Sequence, residues 1–265
     1  MHALLNVAVM AARRAGAALI RKMSNLEKLN VEQKGHNDFV SDADYAAEKA
    51  VINCILKHYP DHAILAEESG AQGESDHLWI IDPLDGTTNY LHGFPVFAVS
   101  IGLRINGRME HGVVYDPIRQ ELFTASRGDG AQLDGRRIRI SGQKQLERAL
   151  IGTGFPVREL EAGLSPYLNM LGKVLRNTAG VRRPGAAALD LAYVAAGRLD
   201  AFWETGLSPW DLAAGSLILR EAGGIISGLD GSEDFLETGH VLCGTPKIYK
   251  DLAKLCAKDI KALLA

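Results

Sequence analysis

At the start of the chain the apolar positions Leu4, Ala8, Ala11, Ala15 and Leu19 fall on one helical face, the three-to-four spacing of a helix that buries one stripe. A polar stretch around Gln33 to Asn37 leads to Phe39-Val40, read as a short strand, and Asp42 opens a helix that runs to about His58 and stops at Pro60. Asp42 has the chemistry of an N-cap, and Ala46, Ala47, Ala50, Val51, Cys54 and Ile55 keep a helical rather than an alternating spacing. Two short apolar strands follow. Ile64-Leu65-Ala66 runs into Glu67-Glu68-Ser69-Gly70, and Leu78-Trp79-Ile80-Ile81 runs into Asp82-Pro83-Leu84-Asp85-Gly86-Thr87-Thr88-Asn89. Both strands end in acids.

From Phe97 to Ile140 short β runs are separated by Asn106-Gly107, Asp116-Pro117, Gly128-Asp129-Gly130 and Asp134-Gly135, which predicts an antiparallel meander. Beyond Leu150 strand and helix patterns alternate: strand Leu150 to Gly152, helix near Pro166 to Asn177, strand at Val181, helix from about Ala186 to Ala196. Strand Leu199 to Trp203, helix Trp210 to Ala222, strands Gly224 to Ser227 and His240 to Cys243, and a closing helix Pro246 to Leu264 complete the series. The order predicts an α/β (α+β) chain of two packed halves. Residues 1–145 form a helix-plus-antiparallel-sheet half and residues 146–265 a mixed α/β half, with the boundary near Gln143 to Glu147.

Composition narrows the function classes. The 265 residues are 47% apolar and 23% charged, enough for a real core, and 29 basic against 32 acidic side chains leave a net charge of −3, so nothing draws the whole chain to a phosphate polymer. Direct nucleic-acid binding is not expected. Cys54, Cys243 and Cys256 are three, widely spaced and without a C-x-x-C pair, which suits the reducing cytoplasm better than a disulfide framework or a zinc knuckle. The uncharged stretch from Gly86 to Leu103 carries Thr, Asn, His, Gly and Pro, so no membrane span is read there. Near the N-terminus Arg13, Arg14, Arg21 and Lys22 follow the apolar run with no acid before Glu27. A secretory signal places its charge first, a mitochondrial presequence shares the Arg-rich and acid-poor composition, and an amphipathic first helix is the reading adopted.

The acids at the strand ends carry the candidate chemistry. Neighbouring carboxylates repel unless a counter-charge is present, and a divalent cation supplies one. Glu67, Asp82 and Asp85 are hard oxygen donors with no Cys or His beside them, which points to Mg2+ or Mn2+ rather than zinc or copper. Pro83 fixes the backbone so that Asp82 and Asp85 turn to one side, and the Leu84 carbonyl offers a further ligand. Gly86-Thr87-Thr88 then places backbone N–H groups beside the metal, a seat for phosphate. Phosphate monoesters are among the slowest substrates in water, and paired metals address that barrier by activating water and stabilising the leaving oxygen. Asp-Pro or Asp-Gly alone reads as a tight turn; the full string after Ile80-Ile81 does not.

Competing motifs fail on spacing. Asp82 and Asp85 are three apart, not the Asp-x-Asp-x-Thr of a haloacid-dehalogenase phosphatase, and an EF-hand begun at Asp42 meets Ala47 where Gly is needed and Asn53 where Glu belongs. Pro60 breaks the helical pairing of His58 with His62, and Arg127-Gly128-Asp129 reads as a turn between strands.

The string Asp82 to Asn89, with Glu67-Glu68-Ser69 upstream and Trp210-Asp211-x-Ala213-Ala214-Gly215 downstream, resembles the inositol monophosphatase family of metal-dependent, lithium-sensitive phosphatases, and a bacterial branch of it most closely. The resemblance covers essentially the whole chain. It implies a layered α-β-α-β-α sandwich of the sugar-phosphatase type and a homodimer. It makes Glu67, Asp82, the Leu84 carbonyl, Asp85 and Asp211 the ligands of two or three Mg2+ per site, with Asp44 supporting the weakest through water. Thr87 and Glu67 then orient the attacking water, Gly86 and Thr87 hold the phosphate, and no covalent phosphoenzyme forms. Gly185, Ala187 and Glu204 match positions that contact the polyol, with Asp85 and Asp211 sharing that role. Ala186 departs from the pattern, standing where many relatives carry Ser or Thr.

The implied activity is hydrolysis of a small polyol phosphate, inositol 1-phosphate first. Fructose 1,6-bisphosphate, adenosine 3′,5′-bisphosphate or another 3′-phosphonucleotide, and histidinol phosphate are alternatives within the family. A role of another class is also implied: bacterial relatives act in transcription antitermination by binding transcription factors and RNA polymerase. Arg182-Arg183 is placed beside substrate, dimer partner or polymerase, or is a solvated helix entry.

Overall fold

The structure is a computed structural model that describes residues 2–35, 38–155 and 160–264. An outer pair of helices, α1 (Ala3–Met23) and α2 (Asp42–His58), is joined by a hairpin of β1 (Val31–Gly35) and β2 (Asp38–Ser41). Five layers follow from where each apolar stripe finds a partner. In α1, Leu5, Ala8, Ala11, Ala12, Ala15 and Leu19 are buried against α2 and a sheet. By length and composition α1 would also suffice to cross a membrane; here half of that stretch is buried inside the protein, and α1 is a core helix.

The sheet beneath α1 and α2 comprises β3 (Ala63–Ala66), β4 (Gly70–Gln72), β5 (His77–Asp85), β6 (Ala98–Ile105), β7 (Arg108–Asp116), β8 (Glu121–Ser126), β9 (Gly130–Leu133) and β10 (Arg136–Arg137). Its order is β10-β9-β8-β7-β6-β5-β3-β4. The meander from β6 to β10 is antiparallel as expected, β5 pairs with β6 in the same sense, and β3 runs parallel to β5, so the chain ends of those last two strands lie side by side. That places Glu67 beside Asp82. A short helix α3 (Thr87–Leu91) follows β5.

The second sheet is mixed, ordered β12-β11-β13-β15-β14, from β11 (Leu150–Thr153), β12 (Gly180–Arg182), β13 (Ala201–Glu204), β14 (Ile225–Ser227) and β15 (Val241–Gly244). Helices α4 (Leu160–Asn177) and α8 (Pro246–Leu263) cover its outer face, while α5 (Ala187–Ala195) and α6 (Pro209–Glu221) lie between the two sheets; α7 (Phe235–Thr238) is a single turn. Strand alternation assigns the faces: Phe202 and Cys243 point to the central layer, Trp203 and Leu242 to α4 and α8. α6 sits close on the first sheet because Gly102 and Gly112 leave room; a Cβ on Gly112 would meet the Ala214 carbonyl at 2.7 Å.

Several local readings are corrected. Ser41, not Asp42, caps α2: its hydroxyl accepts from the Ala43 N–H, and Asp44 accepts back from the Ser41 N–H. The polar stretch read as a connector begins with β1, whose side chains are all exposed, so no apolar alternation marked it; His36 and Asn37 lie outside the described residues. α4 starts at Leu160 rather than near Pro166, which it contains. Buried Tyr167, Met170 and Val174 hold that helix on the sheet, and the proline removes a single backbone donor.

Candidate active site

The site begins with an irregularity in β5. Asp82 pairs with Ser100 and Asp85 with Ala98, so three steps along β5 match two along β6. Residues three apart on a regular strand face opposite sides; one extra residue in the ladder restores both carboxylates to the same side. Pro83 fits that bulge because it has no N–H to leave unpaired. Asp82 is pinned by the Leu84 N–H, which donates to its Oδ1 at 2.9 Å.

A third carboxylate arrives from α6. Asp211 occupies its first turn and accepts from the Ser208 N–H at 2.6 Å, a capping-box arrangement that Trp210-Asp211 after Ser208-Pro209 encodes locally. One oxygen from each of Asp82, Asp85 and Asp211 lies within 4.8 Å of the others. Glu67 adjoins this cluster, its Oε1 3.5 Å from Lys34 Nζ on the β1–β2 hairpin, while Lys34 also bonds Glu68 at 2.6 Å. Burial and mutual repulsion raise the carboxyls of the cluster. Burial, then the neighbouring Asp211, pushes the Asp85 carboxyl up to about 7; burial lifts Glu67 to about 8 although Lys34 opposes it; and burial with Glu67, Asp85 and Asp211 around it holds Asp82 well above the carboxylate range. The donors are all carboxylate or carbonyl oxygens, which fits Mg2+ or Mn2+.

Beside the cluster, Thr87 Oγ1 lies 3.1 Å from both the Leu84 carbonyl and Asp44 Oδ1. Asp44 is fully buried, held by the Ser41 N–H and hydroxyl at 2.8 and 2.7 Å, and burial raises its pKa. Gly86 takes a left-handed φ of 97° at the N-terminus of α3, where a Cβ would press on the Val96 carbonyl at 3.0 Å.

Comparison with known proteins now decides the family. The model of the inositol monophosphatase family matches residues 1–264. The chain belongs to that family. Among its members, the Nus factor SuhB of Pseudomonas aeruginosa is 54% identical over 257 residues, covering 95% of each chain, and that of Escherichia coli is 50% identical over 252 residues, covering 94% of each. In structure the chain is similar to the extragenic suppressor protein SuhB of Bartonella henselae (TM-score 0.94, 46% identity, 97% of this chain and 99% of that one). It is likewise similar to the inositol monophosphatase of Anabaena (TM-score 0.85, 41% identity, 96% and 95%). The mixed layered sandwich is the family's architecture.

Gly185, Ala187 and Glu204, which the resemblance assigns to the polyol side, stand before α5, at its start and at the end of β13. Asp85 reaches across to them: its two oxygens accept from the Ala187 and Ala188 N–H groups at 3.2 and 2.7 Å. α5 has no side-chain cap of its own, since Ala186 stands at its N-cap, so Asp85 fills that role. Gly185, at φ 87°, lies against Asn89 and Arg183. Asn89 Nδ2 donates to the Val96 and Pro184 carbonyls at 2.8 and 2.9 Å, bridging the two segments of chain. Glu204, at the end of β13, is raised to about 8 chiefly by burial, with Arg183 opposing.

Sequence reading missed four contributors. Gly154 is required because a Cβ there would collide with the Glu204 carboxylate. Asp190 is a buried carboxyl on α5, its Oδ1 without a hydrogen-bond partner among the described residues, held well above the usual range by burial and then by Glu204 and Asp85. Asn89 was legible within the motif but has no acid chemistry to mark it, and Lys34 sits in a strand with no apolar pattern.

Proposed function

We propose that this chain is an Mg2+-dependent phosphomonoesterase that hydrolyses inositol 1-phosphate by direct attack of water. The observation that carries the reading is the convergence of Asp82, Asp85 and Asp211 within 4.8 Å beside the Thr87 hydroxyl and the start of α3. A family relative from Staphylococcus aureus, 27% identical, has a structure with inositol monophosphate bound, which supports the substrate class. Glu67, Asp82, the Leu84 carbonyl, Asp85 and Asp211 hold the metal ions, two or three per site. Bound Mg2+ offsets the carboxylate charge and supplies Lewis acidity toward phosphate and water. Glu67 and Thr87 orient the attacking water, and Asp44 fixes the Thr87 hydroxyl. The Gly86 and Thr87 N–H groups receive phosphate oxygens. The water oxygen forms the new P–O bond as the ester P–O bond breaks, and the departing oxygen takes a proton to leave as the free polyol. Gly185, Ala187 and Glu204 bound the polyol. A cytoplasmic homodimer with lithium sensitivity completes the proposal, following the family.

The test is phosphate release from inositol 1-phosphate, fructose 1,6-bisphosphate, adenosine 3′,5′-bisphosphate and histidinol phosphate, with Mg2+ or chelator. A preference for the first that disappears in chelator and in Asp85→Asn supports the reading; near-wild-type release by Asp85→Asn at saturating Mg2+ refutes it. The Nus factor name of the relatives that are 54% and 50% identical favours a second role, binding to the transcription machinery. That role survives Asp82→Asn, which abolishes turnover, and co-purification of the variant with RNA polymerase checks it.

A further inference from the structure

A cavity of about 260 Å3 opens beside the C-terminal half of α6, where the β6–β7 turn, the end of β8 and α7 meet. Three arginines are among its lining residues: Arg108, Arg127 and Arg220. Among its described lining residues Glu233 is the sole carboxylate. Arg127 is anchored through Nε, which donates to the Met109 carbonyl at 2.7 Å and to Glu110 at 3.1 Å. That anchoring uses one edge of the guanidinium and leaves its two Nη groups without a partner among the described residues. Arg108 is exposed at the start of β7 and makes no side-chain hydrogen bond or ion pair among the described residues. Arg220 pairs with Glu233 and lies over the Phe235 ring, 5.5 Å from its centroid. Glu233 is 76% exposed, and an ion pair that open to water contributes only about 0–1 kcal/mol, so an incoming anion displaces it at little cost.

We propose that this cavity binds a small phosphate dianion, either inorganic phosphate or the head of an organic phosphate ester. Planar guanidinium forks match phosphate oxygens in pairs, which a set of lysines would not do. The concavity limits the ligand to small-molecule size. The site is separate from the acid cluster: Arg220 lies nine residues beyond Asp211 along α6, ~13 Å at the rise of a helix. It does not depend on the phosphatase reading, because its ligands are other residues.

The test is calorimetric titration of inorganic phosphate and of ribose 5-phosphate into the whole protein in chelator, where the acid cluster has no cation with which to hold an anion. Saturable binding is expected, weakened about tenfold or more by Arg108→Ala and by Arg127→Ala and unchanged by Asp85→Asn. Arg108→Ala removes an exposed side chain with no partner among the described residues, so it reports binding without disturbing the fold, and its unchanged metal-dependent turnover confirms that. Tighter binding of ribose 5-phosphate than of phosphate assigns an organic ester; equal affinity assigns the inorganic ion. Absence of saturable binding in chelator, or equal affinity in wild type and Arg108→Ala, overturns the proposal.

Discussion

Stripping the cation should make the acid cluster destabilise the fold in a defined pH window. Asp85 sits at about 7 against an ordinary 3.8, and Glu67 at about 8 against 4.5. An acid whose folded pKa is raised binds protons in the folded state that the unfolded chain has already lost, so stability falls as pH rises between the two values. For Asp85 the rise from 3.8 to about 7, at about 1.4 kcal/mol per pH unit, removes ~4 kcal/mol by neutral pH. Within the narrower span from pH ~6.5 to ~8, the last part of both titrations together removes ~2 kcal/mol, or about 5 °C of Tm for a chain of this size. Thermal melts followed by circular dichroism in chelator should show that decline, and saturating Mg2+ should abolish it by giving the ionised carboxylates a partner. Asp82→Asn removes one of the repelling charges and should melt higher than wild type in chelator while gaining less from Mg2+. A chelated Tm that stays level or climbs from pH ~6.5 to ~8, or an equal Mg2+ response in wild type and Asp82→Asn, refutes the reasoning.

Other perturbations probe single contacts. Gly154→Ala drives its Cβ into the Glu204 carboxylate; KM for the polyol phosphate should rise about tenfold with a smaller change in kcat, since about 1.4 kcal/mol of substrate contact is lost. Ser41→Ala removes both the α2 cap and a hydrogen bond to Asp44, costing about 1 kcal/mol in denaturant melts and lowering kcat through the loosened Thr87. His62 is stacked between Tyr59 and His77, accepts from the Trp79 indole N–H at 3.0 Å, and has its pKa lowered by burial and then by His77. A base with a depressed folded pKa loses stability as pH falls below its unfolded value of ~6.5. Tm in Mg2+ should therefore drop toward pH 5 with a change in Trp79 emission, an effect that His62→Gln removes.

The sequence announces those features whose chemistry is local. Turn dipeptides mark the meander, the apolar stripe marks α1, and the string from Asp82 to Asn89 marks the site because three unlike constraints, acid, proline and glycine, coincide in it. β1 is illegible because its residues are all exposed and, among the described residues, it pairs with β2 alone. The cap of α2 was misplaced by one residue because Ser41 and Asp42 both have capping chemistry, and only the return bond from Asp44 separates them. Gly154 and Asp190 carry no signal at all, since Gly154 matters through its approach to Glu204 and Asp190 through the charges of Glu204 and Asp85, all distant in the chain.

Asp85 shows why such contacts decide the site. Its carboxylate is presented by the first sheet yet satisfies the N-terminus of α5, a helix with Ala186 at its N-cap and no side-chain cap of its own. Backbone N–H groups at that helix end lower its pKa against the burial that raises it, so they favour the ionised form that a cation would need. Asn89 repeats the logic without charge, its amide spanning the Val96 and Pro184 carbonyls. The bonds that hold α5 against the first sheet are therefore bonds of the site itself. Asp85→Asn and Asp82→Asn should separate on this account: both remove a proposed ligand, but only Asp85→Asn weakens the attachment of α5, because an amide can accept through one oxygen where the carboxylate accepts through two. In chelator Asp82→Asn should gain stability from relieved repulsion, while Asp85→Asn should gain less, the difference being the lost helix-end hydrogen bond of about 1–2 kcal/mol. Equal Tm shifts for the two variants would mean that the contact between Asp85 and α5 contributes nothing to the docking of the layers.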